Sequence, residues 1–279
     1  MATVVVPQGT TDLSSLSIST GDSVLFNEGG QNVTTLFAGG VSNLASVYVG
    51  KFANVTVGNA TTGPVTTPIN TLLSLNGSGG SWMQSGNTTR IKLLSNQNLS
   101  LTGGTHASVE ASNGSVTIAA GAIATQLVSS GATVFADYIT SADGFQHCRI
   151  SGGVATLGRG TDSNHSGSTI EITGGAVVTM KRTTTVAGSI PTITGSGNSG
   201  MCRVFGAKLI YQGGNIDTLI GLNSVIDLSG VPASLTITNL IIDRPTYERS
   251  VFKSNANPLA TVTVTNVTIL GAETDTLVL

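Results

Sequence analysis

The sequence predicts an all-β fold, a right-handed parallel β-helix with coils of roughly 22 residues. Three observations predict it. Ile150-Ser151-Gly152-Gly153-Val154 returns 22 residues later as Ile172-Thr173-Gly174-Gly175-Ala176, then as Ile193-Thr194-Gly195-Ser196-Gly197, and more loosely as Tyr211-Gln212-Gly213-Gly214-Asn215. A short apolar unit that recurs with glycines is the sign of stacked coils. The composition is the second: only 9% of residues are charged, while 39% are hydrophobic, mostly Val, Ile, Leu and Ala, so a core can form without helix-forming Glu and Lys. The third is the punctuation, with 36 glycines and many asparagines to supply turns that need left-handed backbone. The alternative is a β-sandwich or interwoven β-structure beside a shorter β-helix.

Along the chain, residues 1–30 form an N-terminal cap or docking segment, and residues 31–279 the β-helix. In the first segment Leu13, Leu16 and Ile18 alternate loosely, and Asp22 to Phe26 reads as a strand after Gly21. A solenoid's first coil is an open sheet edge that something must cover, which is the reason to expect a cap there.

Asn32, Asn54, Asn76 and Asn98 are 22 residues apart, and three of them open strand-like runs. Asparagine accepts the φ > 0 of a tight turn, and asparagines on successive coils can hydrogen-bond in a ladder. Residues 107–110, 115–118 and 132–135 alternate apolar and polar, the period of a strand with one face buried. Near the C-terminus Leu235-Thr236-Ile237-Thr238-Asn239-Leu240-Ile241-Ile242 matches Val262-Thr263-Val264-Thr265-Asn266-Val267-Thr268-Ile269 at an offset of 27. The five residues beyond 22 fit an insertion, Asp243 to Lys253, which carries five of the 26 charged side chains.

Charge and motifs exclude several functions. The net charge is −2 and no basic stripe exists, so nucleic acid is not the expected partner. No 18-residue apolar span suits a membrane helix, and the start, Met1 to Pro7, has neither the basic end nor the apolar core of a secretory signal. The protein is therefore expected to be made and kept inside a cell, to be released by lysis or a signal-free route, or to have lost a signal. The glycine pairs lead into strands rather than helices, so they are turns and not phosphate cradles. No histidine or cysteine spacing marks a metal site. Asp143 and His165, 22 apart, would stack on a regular coil, with Asp137, Asp162 and His147 nearby. Exposed turn residues are the expected reading of this group rather than an acid–base pair. Cys148 and Cys202, 54 apart, are expected to be buried thiols.

The candidate contact residues are Trp82, in the glycine-rich run 77–86, and Arg244, Tyr247, Arg249 and Phe252 of the insertion. Arginine and aromatic side chains are enriched at protein contacts. No catalytic, cofactor or metal residue is assigned, and no enzyme activity is expected.

The Asn-opened strands, the Ile-Ser/Thr-Gly-Gly units at 150 and 172, the Thr-Ile/Val-Thr-Asn unit at 236 and 263 and the signal-free start together resemble the β-helical structural proteins of tailed bacteriophages: capsid decoration or cement proteins, head fibres and tail spikes. The resemblance is one of texture over most of the chain. It implies a homotrimer on the capsid surface of a virion, with the major capsid protein or another virion protein as partner. For a tail spike it implies a host glycan as partner, cut by carboxylates on the helix face; the same texture occurs in bacterial adhesins.

Overall fold

The computed structural model describes residues 2–37, 40–137, 144–157, 169–172, 176–180, 201–205, 208–211, 216–222, 225–227, 235–243, 251–253 and 261–270. The chain divides into two compact units, Met1–Thr133 and Val134–Leu279. Every paired strand registered in either unit is parallel to its neighbour, and the described residues contain no helix. The protein is a parallel β-solenoid.

In the first unit the strands are β1 (Thr3–Val6), β2 (Ser23–Val33), β3 (Leu44–Val57), β4 (Ile69–Leu75), β5 (Gly79–Gln84), β6 (Thr88–Leu93), β7 (Asn98–Leu101), β8 (Gly104–Ala111), β9 (Ser115–Ile118) and β10 (Ala122–Ser129). They build two ladders. One runs β1–β2–β3–β4–β6–β8–β10. The other leaves the second halves of β2 and β3 and continues β5–β7–β9. The long strands β2 and β3 serve both because each turns a corner: the register shifts between Phe26 and Glu28, and Gly50 sits against the Asn27 carbonyl.

Parallel register puts like positions in columns. Val6, Phe26, Val49, Leu75, Leu93 and Ala111 align rung to rung and are all buried. The facing column is Val33, Val57, Trp82, Leu99 and Val116, also buried throughout. Phe26 and Trp82 meet across the interior edge to face, with ring centroids 6.2 Å apart and planes at 80°. Such a pair adds about 0.5–1.5 kcal/mol to the burial itself.

The second unit repeats the plan. Its strands are β11 (Thr133–Ala136), β12 (Gly144–Ile150), β13 (Val154–Leu157), β14 (Thr169–Ile172), β15 (Val177–Met180), β16 (Met201–Phe205), β17 (Lys208–Tyr211), β18 (Ile216–Leu222), β19 (Val225–Asp227), β20 (Leu235–Asp243), β21 (Val251–Lys253) and β22 (Val262–Leu270). One ladder is β12–β14–β16–β18–β20–β22, the other β13–β15–β17–β19–β21.

Two sequence repeats coincide with the register. Ile150 pairs Ile172 at the expected offset of 22. Leu235 pairs Val262 and Asn239 pairs Asn266, the offset of 27. There an asparagine ladder forms: Asn266 Nδ2 donates to Asn239 Oδ1 at 3.0 Å, and Asn239 Nδ2 to Thr218 Oγ1 at 3.4 Å.

Individual coils scatter around the expected rough length of 22 residues. Thr88 pairs His106 at an offset of 18, Ser81 pairs Asn98 at 17, Thr56 pairs Ser81 at 25 and Thr169 pairs Met201 at 32. The reason is physical: the ladder fixes the strands and leaves the turns between them free to vary in length. Asn32 therefore stacks on Thr56, Asn54 on Gly79, and Asn98 between Ser81 and Ser115, so the four asparagines spaced by 22 make no ladder. Asn98 instead accepts a hydrogen bond from the Ser115 hydroxyl at 2.6 Å. Ile172 pairs Val204 rather than Ile193, which lies outside the described residues, and Tyr211 belongs to the other ladder, opposite Met180.

The expected boundary at residue 30 falls inside β2, and β1 pairs β2 in register from Thr3 to Val6, so residues 1–30 already carry rungs of the solenoid. Leu13 and Ile18 are buried in the same coil. Asp22 fastens it, accepting from the Ala2 amide at 2.6 Å and the Ser19 amide at 3.0 Å, and these donors hold its carboxyl below its usual 3.8.

Gly80 sets a test of this packing. Its φ is +96°, and a Cβ there would overlap the Val55 carbonyl of the rung before. Gly121 also has positive φ, +84°, with nothing nearer its Cβ position than Thr102 O at 3.9 Å. Gly121→Ala is expected to cost about 1 kcal/mol through φ alone, and Gly80→Ala clearly more, because φ and steric overlap act together. Urea denaturation of the two variants gives the comparison; equal costs would contradict the close approach.

Candidate functional site

Trp82 is the expected contact residue that the structure relocates. It lies not in a loop but in β5, 1% exposed, within the aliphatic column of the second ladder. Glycines on both sides suggest a loop in the sequence, but Gly79 and Gly80 are themselves strand residues, and Gly80 is required by the proximity of β3. The indole still needs a partner for its N–H. Nε1 donates to Gln84 Oε1 at 3.0 Å, and Gln84, fully buried, donates in turn to the carbonyls of Thr67 at 3.1 Å and Gly86 at 3.0 Å. Thr88 adds a bond from Oγ1 to Gly86 O at 3.4 Å.

Gln97 plays a matching part at another corner. It is buried, accepts from the Gly77 amide at 2.8 Å and donates to Gly79 O at 3.0 Å. These glutamines satisfy backbone groups at turns where the ladder is interrupted, and so the interior polar cluster works as a corner staple. With the ring and both amides engaged, Trp82 offers no face to a partner.

Of the insertion residues, Arg244, Tyr247 and Arg249 lie outside the described residues. Phe252 lies in β21, in register with Ile226 of β19. Part of the expected insertion is therefore a rung. Asp143, Asp162 and His165 lie outside the described residues; His147 is exposed and pairs Thr169. Among the described residues no group of three or more His, Cys, Asp or Glu is placed to hold a metal ion.

Cys148 is buried and aligned with Ile170, and Ile170 is aligned with Cys202. The two cysteines share a column two rungs apart, about 9–10 Å by the spacing of strands, which is beyond the reach of a disulfide.

The outer surface holds what the sequence reading missed. On β3, Tyr48 is 39% and Phe52 74% exposed, in a chain with only 4% aromatic residues. Tyr48 continues an outward column with exposed Val5 and half-buried Leu25 of β1 and β2. The signal was present as the run Tyr48-Val49-Gly50-Lys51-Phe52: aromatics four residues apart share one face of a strand, and with Val49 and Ala53 buried that face points outward. Charged rows flank other rungs: Arg90 bonds Glu110 at 2.7 Å, and Arg149 bonds Glu171 at 3.2 Å, with Arg203 next in register. Exposed pairs of this kind contribute under about 1 kcal/mol each.

Comparison with protein-family models, with curated proteins and with solved structures finds no match.

The corner staple makes a prediction. Gln84→Leu leaves the buried Trp82 N–H without a partner and removes the bonds to the Thr67 and Gly86 carbonyls, and is expected to destabilise the first unit by about 1–3 kcal/mol. The sole tryptophan reports it: its native emission is expected to be blue-shifted and protected from acrylamide. Quenching as fast as that of free tryptophan would contradict the burial of Trp82.

Proposed function

We propose that the protein is a non-enzymatic structural component of a tailed-phage virion, a decoration or cement protein held on the capsid surface as a homotrimer. The observation that carries this reading is the outward aromatic face of β3. Tyr48 and Phe52 project from a register-fixed solenoid whose interior is filled by packed side chains. Rigid strands hold these two rings in place at little entropic cost, which suits a contact between subunits or with the major capsid protein. The low charge and the self-stacking strands fit a rigid part of a particle.

A second reading rests on the same residues. Exposed rings on the lateral face of a solenoid are a platform for sugars, as a host glycan-binding spike would need. Sedimentation separates the two. A homotrimer has a mass near three times 28.1 kDa, and Phe52→Ser, at a position 74% exposed, is expected to leave the fold intact and shift the mass toward one chain. Particles stripped of the protein should lose resistance to heat. A monomer that binds or shortens host surface polysaccharide, with binding lost in Phe52→Ser, would replace the virion reading with the glycan one.

A further inference from the structure

His106 is the buried group that the corner staples and the aromatic face do not use. It occupies a core column of the first ladder, Leu44–Ile69–Thr88–His106–Ala124, every member buried. Its Nε2 lies 3.0 Å from the carbonyl oxygen of Gly103, in the turn between β7 and β8. A carbonyl can only accept, so Nε2 carries the proton of the neutral ring. That leaves Nδ1 as a bare lone pair, and it is buried with no hydrogen-bond partner.

A neutral imidazole tolerates this at modest cost, because only a single acceptor goes unused. An imidazolium does not. Its second N–H would have nothing to donate to, and its charge would sit between Thr88 and Ala124. No carboxylate faces it. The charged side chains on the strands packed beside it are Arg90 and Lys92 of β6 and Glu110 of β8, and β10 has none. These three alternate with buried Ile91, Leu93 and Val109 and so point outward, and Arg90 is paired with Glu110.

We infer that His106 is an acid trigger in the first unit: charging its imidazole, with Nδ1 unpartnered in the core column, opens the β6–β8–β10 ladder around it. Burial holds its pKa down, from 6.5 to about 4. The unfolded chain therefore takes up this proton first as pH falls. Its contribution to stability is complete above about pH 6.5 and is lost progressively toward pH 4. Asp22, the other shifted group that fastens a coil, acts in a separate window, below its ordinary 3.8.

The test is urea denaturation of the 279-residue protein and of His106→Gln from pH 7.5 to 4.5, followed by Trp82 emission. The folding equilibrium of the parent is expected to fall by about 40-fold between pH 6.5 and 4.5, and the variant, which can still donate to Gly103 O without charging, to stay nearly level. An equal decline in a folded His106→Gln variant would overturn the inference. Should the variant fail to fold, ¹⁵N resonances of the parent's imidazole decide: a neutral ring protonated at Nε2 down to pH 5 supports the trigger, and titration near pH 6.5 within the folded state overturns it.

Discussion

The parallel, in-register hydrogen-bond ladder is the constraint on which everything else here depends. Each rung satisfies the backbone N–H and C=O groups of its neighbours, and a rung that slipped by one residue would turn its buried side chains outward. Register therefore fixes composition column by column. Val33, Val57, Trp82, Leu99 and Val116 share one environment because they share one column. The largest side chain of that column displaces nothing only because Phe26 meets it edge-on and Gln84 takes up its N–H. Polar residues enter the interior where the ladder is broken by a turn, and there Gln84 and Gln97 bind the backbone groups that no strand can reach.

The same constraint explains what could be read from the sequence. Fold class was legible because it rests on strand periodicity and glycine turns, which are local. The pairs Ile150–Ile172 and Leu235–Val262 were legible because similar residues stack on similar residues when both fill one column. The length of each individual coil was not, because turns of different lengths separate rungs that remain in register, from 17 residues between Ser81 and Asn98 to 32 between Thr169 and Met201. A single period imposed on the asparagines at 32, 54, 76 and 98 then produced a ladder that does not exist, while the pair Asn239–Asn266, hidden by its offset of 27, forms one. Trp82 was misplaced for a related reason. Gly79 and Gly80 read as a loop until both are seen to lie in β5 and the neighbouring β3 backbone to demand Gly80.

The candidate site follows from strand alternation and register rather than from motifs. Tyr48 and Phe52 both face outward because they lie four residues apart on a strand whose alternate residues Val47, Val49, Ala53 and Val55 fill the core. His106 is buried because its column is, although the residue itself is polar. In both cases the chemistry of a side chain is set by its place in the stack. That also relates the proposed function to the fold: an interior filled rung by rung gives stiffness, and the few aromatics left outside become the available contacts.

Register is tested most directly by cross-linking across one rung. Thr56 and Ser81 are in-register neighbours on β3 and β5, with Cα atoms at the spacing of adjacent strands, which a disulfide can span. Thr56→Cys with Ser81→Cys should oxidise readily to an intramolecular bridge, identified by peptide mapping, in protein that stays folded. Failure of that pair, with efficient bridging of Thr56→Cys to Ser78→Cys at the uniform offset of 22, would contradict the stacking described and restore a regular coil.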